Sequence, residues 1–501
     1  MEKDTVKETK EKTEAASSGI QLNKKTIFGI TALLLAIMIF AGVLTKVVPH
    51  GVYDRDADGA IIAGSYHEIS DEEVNYPFWR VFVAPFEVFT TSDSLIGVGI
   101  IAFIVLVGGT FFILEKSGVL KYILKQTVNK FADKKYLLMA LIILICMCLS
   151  SIMGMLEECV TLVPLACAIS LALGWDSLVG LGFSSMAIVF GYAAATFNPF
   201  NVVLVQSMAK LPRFSGLWLR VIVFAVTYAL LFVFLYLYAK KIEKNPQKSL
   251  SYESDKALRA KYLSAESDKV LDNPMLPKAT KTFVISISGV IVLTIISFIA
   301  QQFIPDPDIA SIVSYTPLIA MAVLFTFGGL KAGAIAGIKG KKLYDGFLEG
   351  VKTILPCMPL ILFILGITYI LSKGMIMDTI INYVYEAIKD FSPAQSLLMI
   401  TALVIIIEFF VGSGTAKAFL LMPLLLPLVE LSGITKQSLV LAFTMGDGYC
   451  NILYPTSSML ILSIGLINVS YPKFIRWAWK VFIPIFAVMV GFIWLAVRIG
   501  Y

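Results

Sequence analysis

Apolar stretches long enough to cross a bilayer recur along the chain, separated by short polar segments rich in lysine or in acid. The run from Ile27 to Val48 has 22 residues, bounded by Lys24-Lys25 and His50, and suits ~30 Å of hydrocarbon. A polar lead over residues 1–26 and the lack of a small-residue cleavage site make it a retained first span rather than a signal peptide. The same reading predicts spans over 95–114, 178–208, 217–239, 282–303, 315–338, 354–371, 438–466 and 481–498. Tyr76 to Phe89, aromatic-rich and interrupted by Pro85, is expected to lie in the interface.

Two further apolar stretches, 137–174 and 394–432, each start and end on one side of the membrane and so read as pairs of arms joined by a turn; those of the first are either half-spans meeting at the midplane or two full spans. Each carries a break: Gly154-Met155-Leu156-Glu157-Glu158 in the first, Gly412-Ser413-Gly414-Thr415-Ala416-Lys417 in the second. Pro164 precedes Gly174 and Pro423 precedes Gly433 by ten residues in both copies, and Gly191 to Pro199 is matched by Gly446 to Pro455. Broken backbone at bilayer depth is tolerated only where it is buried in protein or lines a cavity, so paired breaks in two halves point to a solute site. The pattern predicts an all-α polytopic membrane protein of about nine full spans and two re-entrant hairpins. Residues 1–26 form a charged cytoplasmic tail, and 27–240 a first membrane repeat with its hairpin near 137–174. Residues 241–281 are a cytoplasmic linker, loosely helical or disordered, and 282–313 a connecting span. A second repeat, inverted in topology, occupies 314–501, with its hairpin near 394–432.

Orientation follows the lysines and arginines, which accumulate on the cytoplasmic side. A cytoplasmic N-terminus puts Lys116 to Lys135, Lys240 to Lys281, Lys331 to Lys352 and Lys473 to Lys480 inside, and the acidic segments Asp54 to Glu73 and Asp306 to Asp308 outside. Lys210, Arg213 and Arg220 go against this pattern by falling outside, where headgroups or a bound anion can hold them. Composition agrees: 58% hydrophobic, 15% charged, mean hydropathy +0.83. The net charge of +6 comes from the basic loops and does not argue for nucleic acid. Six cysteines in apolar sequence and two histidines in one polar loop give no disulfide framework, metal spacing or intramembrane histidine relay. No cofactor is expected.

Chemistry concentrates at the breaks. Glu157, Glu158, Lys417 and Asp447 each cost about 2.5 to 3.5 kcal/mol at a helix centre and must face a cavity, a partner or each other. Asn198, Asn201, Ser413, Gly414, Thr415, Asn451, Thr456 and Ser457 supply neutral donors and acceptors, together with half-helix ends. The bland alternative is a buried Lys417–carboxylate pair that only pins the hairpins. The surplus of acid favours a cationic solute, a coupling cation, or both. Glu115, Glu408 and Glu430 fall near predicted segment ends and read as interfacial.

The runs Gly154 to Glu158, Asn198-Pro199-Phe200, Leu211-Pro212-Arg213-Phe214-Ser215-Gly216, Gly412-Ser413-Gly414, Gly446-Asp447-Gly448 and Pro455-Thr456-Ser457 resemble the YfcC-like family. That family is related to the anaerobic four-carbon dicarboxylate carriers of the ion transporter superfamily. The resemblance implies an elevator-type secondary carrier in a bacterial plasma membrane, one hairpin opening from each side, paired through its scaffold as a homodimer. It also implies a small polar solute: either a basic amino acid exchanged as by arginine/ornithine antiporters, or a dicarboxylate moved with sodium or protons. With Lys417 the only cation near the breaks, the basic amino acid fits the charge count better. Lys417 or hairpin amides would take its carboxylate, and Glu157, Glu158 or Asp447 its cationic end. A pore lined by rings of like residues, or an enzyme with a nucleophile, is not suggested by the sequence.

Overall fold

In the computed structural model the described residues are 24–501 apart from 56–61, 63, 71–73, 75, 91–93, 213–214, 264–270, 302–303, 305–312, 314–318, 356–357 and 389–390. Most of the tail, Arg213, Cys357, Asp306 to Asp308 and the middle of the linker therefore lie outside the described residues, as does the Glu158 side chain.

The chain is helical almost throughout, with one two-stranded ribbon, β1 (Gly51–Val52) against β2 (His67–Glu68). Among the described residues five helices are long and apolar enough to cross a membrane. They lie within α1 (Lys24–Val47), α4 (Lys135–Met153), α9 (Leu217–Lys244), α11 (Leu276–Gln301) and α20 (Tyr471–Ile499). Leu237 on α9, Ile285 and Ile296 on α11 and Ile483 on α20 are exposed, as lipid-facing side chains of a multi-pass membrane protein must be. Short helical turns over Phe78–Thr90 expose Trp79, Phe82 and Phe86 at the aromatic segment.

A smaller core joins α2 (Ser94–Lys116), α3 (Val119–Phe131), α11 and α12 (Thr326–Ile335) through Val107, Phe111, Leu114, Leu120, Phe283 and Ala332. Amphipathic α13 (Lys341–Ile354), in a stretch expected to be a loop, packs against α2. A larger core holds both hairpins and the segments after them. The stretch expected to be the first hairpin is α4 followed by a 3-10 turn, Glu157–Leu162, and α5 (Val163–Ala172). The second is α16 (Pro393–Glu408) and α17 (Gly414–Leu431). Each hairpin follows a short amphipathic helix, α3 in one half and α15 (Met377–Ile388) in the other, while α14 (Met358–Lys373) packs on α1.

The helix expected over 178–208 is instead a series of pieces. These are α6 (Ser177–Leu181), a π-turn, α7 (Ala187–Ala193), an unwound stretch 194–198, a second π-turn (Pro199–Val203) and α8 (Leu204–Met208). Its counterpart is α18 (Lys436–Tyr449), a break through Pro455, and α19 (Ser458–Leu466). Proline supplies no N–H and disfavours helix in the residue before it, so Asn198-Pro199 and Tyr454-Pro455 interrupt both copies.

The described part of the linker is largely helical. Helix α9 runs on to Lys244, and α10 (Tyr252–Leu263) docks against α5. Asp176 caps α6 by accepting from the Val179 N–H at 2.8 Å, and also accepts from Tyr238 and Ser249, each at 2.7 Å. Asp255 of α10 accepts from the Ser177 N–H at 3.0 Å and from Ser251 at 2.8 Å. Arg259 donates to the Trp175 carbonyl, and Lys135 pairs with Glu243 at 2.7 Å. Burial, and secondarily the Asp176 carboxylate, push the Asp255 carboxyl up to about 6. Docking thus favours the protonated acid, and the docked linker gains on the undocked one as pH falls through 6 toward the ordinary value of 3.8. Hydrogen exchange over residues 252–263 is expected to slow at pH 5 relative to pH 7.5, after correction for intrinsic rates. Asp255→Asn should flatten that difference. Equal protection in the unaltered protein at both pH values would refute the linkage.

Candidate functional site

Protein groups hydrogen-bond the backbone at the breaks. Gly154 ends α4 in the left-handed conformation, φ +72°, and its N–H donates to the Ser150 carbonyl. The next carbonyl, Ser151, accepts from three successive N–H groups of the other break, Thr196, Phe197 and Asn198, at 3.0 to 3.1 Å. Ser151 Oγ donates back to the Ala194 carbonyl at 3.0 Å. In the second half the Asn451 amide donates to the Asp447 carbonyl at 2.9 Å, Tyr471 donates to Leu453 at 2.7 Å, and Thr368 of α14 donates to Phe410 at 2.9 Å. These bonds meet the demand that buried backbone groups be paired.

Across the halves, the breaks meet. Arm α17 contacts the π-turn Pro199–Val203, α7 contacts α18, and the turn Glu157–Leu162 contacts α19. At the first of these meetings lies a closed charged cluster. Lys417, 0% exposed, is paired with Glu408, 4%, and at 2.7 Å with Asp447, 1%. Asn201 donates its amide to Asp447 Oδ2 at 3.1 Å. Lys417 lies in the first turn of α17, capped by Ser413, and Glu408 ends α16. Each has the wrong sign for its own helix end, so the pair across the tip offsets two unfavourable dipole contacts. Gly414 is needed where it stands: a Cβ there would come 2.7 Å from Asp447 Oδ2 and 2.9 Å from the Tyr192 hydroxyl.

Of the residues singled out from sequence, Asn201, Gly414, Lys417, Asp447 and Asn451 come together here, and Asn198 sits beside them as the cap of the Pro199 turn. Asn198 and Asn201 are fully buried, yet among the described residues Asn198 Nδ2 and Asn201 Oδ1 have no partner. One spare donor and one spare acceptor therefore adjoin the cluster. Glu157 is half-buried on the other side, where its Oε1 accepts from Ser458 at 3.4 Å, next to Ser457, the cap of α19. Thr415 and Thr456 are half-buried, and Ser413 is exposed at the tip.

Two expectations are corrected. Glu408 is not interfacial: the last residue of α16, it is buried inside the protein beside Lys417. Nor is Lys417 open to a solute carboxylate, because Glu408 and Asp447 already enclose it. The signal for Glu408 was present: it is a lone acid four residues before Gly412, in the same hairpin as a lone lysine.

A multi-pass membrane protein, helical almost throughout, whose interrupted helices carry a buried charged cluster has the architecture of a transporter. The family model described as the C4-dicarboxylate anaerobic carrier, DcuC, matches residues 28–498, and the chain belongs to that family. The chain is 28% identical over 483 residues to the Escherichia coli protein "Putative basic amino acid antiporter YfcC", covering 88% of this chain and 91% of that one. An uncharacterized protein of Haemophilus influenzae is 24% identical over 393 residues, 77% of this chain and 72% of its own. Among solved structures, the YdaH transporter of Alcanivorax borkumensis aligns with 94% of this chain and 99% of its own, at 15% identity and a TM-score of 0.45. Neisseria gonorrhoeae MtrF, from a class of antimetabolite efflux pumps, aligns with 94% and 95%, at 15% and 0.46.

Proposed function

We propose that this chain exchanges basic amino acids of the arginine and ornithine type across the membrane. The observation that carries this reading is the enclosure of Lys417 by Glu408 and Asp447. A dicarboxylate needs at least two cationic or strong donor groups, and the lysine of this cluster is already neutralised. Counting Glu157 and Glu158, the breaks hold four acids, Glu157, Glu158, Glu408 and Asp447, against Lys417. A guanidinium or ammonium group brought beside such an excess replaces the water it loses with charge-assisted hydrogen bonds. The name borne by the Escherichia coli relative supports the same class.

The second reading is a sodium- or proton-coupled C4-dicarboxylate carrier, favoured by the description of the family itself. There the same acids hold the coupling cation, and the solute takes the hairpin amides and the spare groups of Asn198 and Asn201. In both readings the hairpins and broken helices form an inverted pair and move as one unit against a scaffold containing α2, α11, α12 and α13. The matched breaks and the separate small core support this. Pairing of two copies through the scaffold rests on analogy alone.

A thermal-unfolding series in detergent tests the solute class, because a ligand that binds only the folded form raises the midpoint by mass action. Arginine, ornithine and lysine at millimolar concentration are expected to raise it, and succinate with sodium to leave it unchanged. Glu157→Gln should weaken the arginine response about tenfold, the loss of one charge-assisted bond. The reverse ranking of ligands would replace the amino acid reading with the dicarboxylate one.

A further inference from the structure

Arg220 is the large buried cation that the cluster does not use. It lies one turn into α9 and is 1% exposed. No carboxylate pairs with it among the described residues, and its Nη2 has no hydrogen-bond partner there. What holds it is weak: Nε donates to the Thr196 carbonyl at 3.3 Å and Nη1 to the Tyr501 hydroxyl at 3.4 Å. A buried guanidinium without a counter-charge is expensive within a membrane protein, and such residues are retained for a task.

Its surroundings suggest the task. On one side, Tyr501 separates it from a cavity of about 600 Å³ lined by Ser215, Gly216, Trp218 and Gln437. The cavity lining is mixed, with Leu211, Trp218 and Ile499 beside Ser215 and Gln437; Ser215 Oγ donates to Gln437 at 2.8 Å, and the buried Gln206 amide behind it donates to the Ser215 carbonyl at 2.9 Å. On the other side Arg220 holds Thr196, two residues before Asn198 in the break that adjoins Asp447. Helix α18 runs from Gln437 at the cavity to Asp447 at the cluster, about 15 Å at 1.5 Å per residue. Arg220 therefore links the cavity wall, through Tyr501, to the unwound stretch 194–198 that leads to Asn198 and Asn201.

We propose that Arg220 recognises the carboxylate of the transported solute as it passes from this cavity toward the site at Asn198, Asn201 and Asp447. The carboxylate displaces the Tyr501 hydroxyl and takes two parallel N–H donors of the guanidinium, Nη2 included. The inference rests on the chain being a transporter and deepens that reading by assigning the group that Lys417 cannot bind. It does not depend on which carboxylate solute is carried.

The plain alternative is a clamp on the C-terminal end of α7, where a cation is favourable. Counterflow kinetics in proteoliposomes separate the two, using ornithine and putrescine, the same diamine without the carboxylate. Inhibition of labelled arginine uptake by each gives its apparent affinity. Arg220→Gln is expected to weaken ornithine by about 10-fold or more, the loss of hydrogen bonds to a charged group, and to leave putrescine unchanged. Arg220→Lys, which keeps the charge and loses the fork, should show a smaller shift in the same direction and serves if the glutamine variant does not fold. Equal loss for both compounds, or no loss for either, would overturn the proposal. If the unaltered protein carries succinate and not arginine, the amino acid reading fails, and Arg220 is then judged by whether Arg220→Lys raises the KM for succinate.

Discussion

Replacing Lys417 by methionine is expected to destabilise the protein by about 3–5 kcal/mol, the usual cost of stripping one partner from a buried ion pair, and to abolish transport. Lys417 has no exposed surface, and its removal leaves Glu408 and Asp447 facing each other without a cation between the hairpin tip and the broken helix. Two opposed buried carboxylates without a cation repel each other, so the contact between α16, α17 and α18 is expected to loosen. Glu408→Gln should be milder, since the 2.7 Å pair of Lys417 with Asp447 survives. In the methionine background the same Glu408→Gln change should recover part of the loss, because it removes one of two opposed acids. Thermal midpoints of the two single variants and the double variant in detergent check this. A Lys417→Met protein as stable as the original would show that the cluster is not the electrostatic centre of the fold.

The second large effect is steric. Gly414→Ala places a methyl group 2.7 Å from Asp447 Oδ2 and 2.9 Å from Tyr192 Oη. Asp447 cannot retreat freely, being held by Lys417 at 2.7 Å and Asn201 at 3.1 Å. The start of α17 must therefore shift, at about 1–3 kcal/mol, the ordinary cost of overpacking. The expected outcome is a folded protein with solute uptake reduced at least about tenfold, as small displacements of binding groups produce. Gly412→Ala is the matched control. It lies two residues away, its φ is not in the left-handed region, and an added Cβ meets nothing within 4 Å. Uptake close to that of the unaltered protein is expected there, and equal damage from both substitutions would refute the steric account.

How much of this was legible in the sequence depends on what each residue had to signal. Four of the expected spans, near 27–48, 217–239, 282–303 and 481–498, were legible because the bilayer imposes length, and the breaks because proline and glycine interrupt helices by local sterics alone, as at Pro199, Pro455 and Gly154. Asp447 and Lys417 were legible because charge in apolar sequence is costly wherever it falls. Glu408 was misplaced because depth was judged from position along a presumed span, whereas a hairpin arm puts its end at the tip. The loose bonds of Arg220 and the docking of α10 through Asp255 depend on contacts between residues 24 to 281 positions apart. No local pattern encodes such contacts. The amphipathic character of α13 was hidden by its lysines, which made it read as a cytoplasmic loop rather than as a helix laid against α2.

The account stands most directly on counterflow. Purified protein in liposomes loaded with ornithine should take up labelled arginine without sodium, and Glu157→Gln should reduce that uptake. Internal succinate should drive nothing. Labelled succinate taken up against internal succinate only when sodium is present, with no arginine uptake under any loading, would contradict the exchange of basic amino acids. The acids at the breaks would then be assigned to a coupling ion.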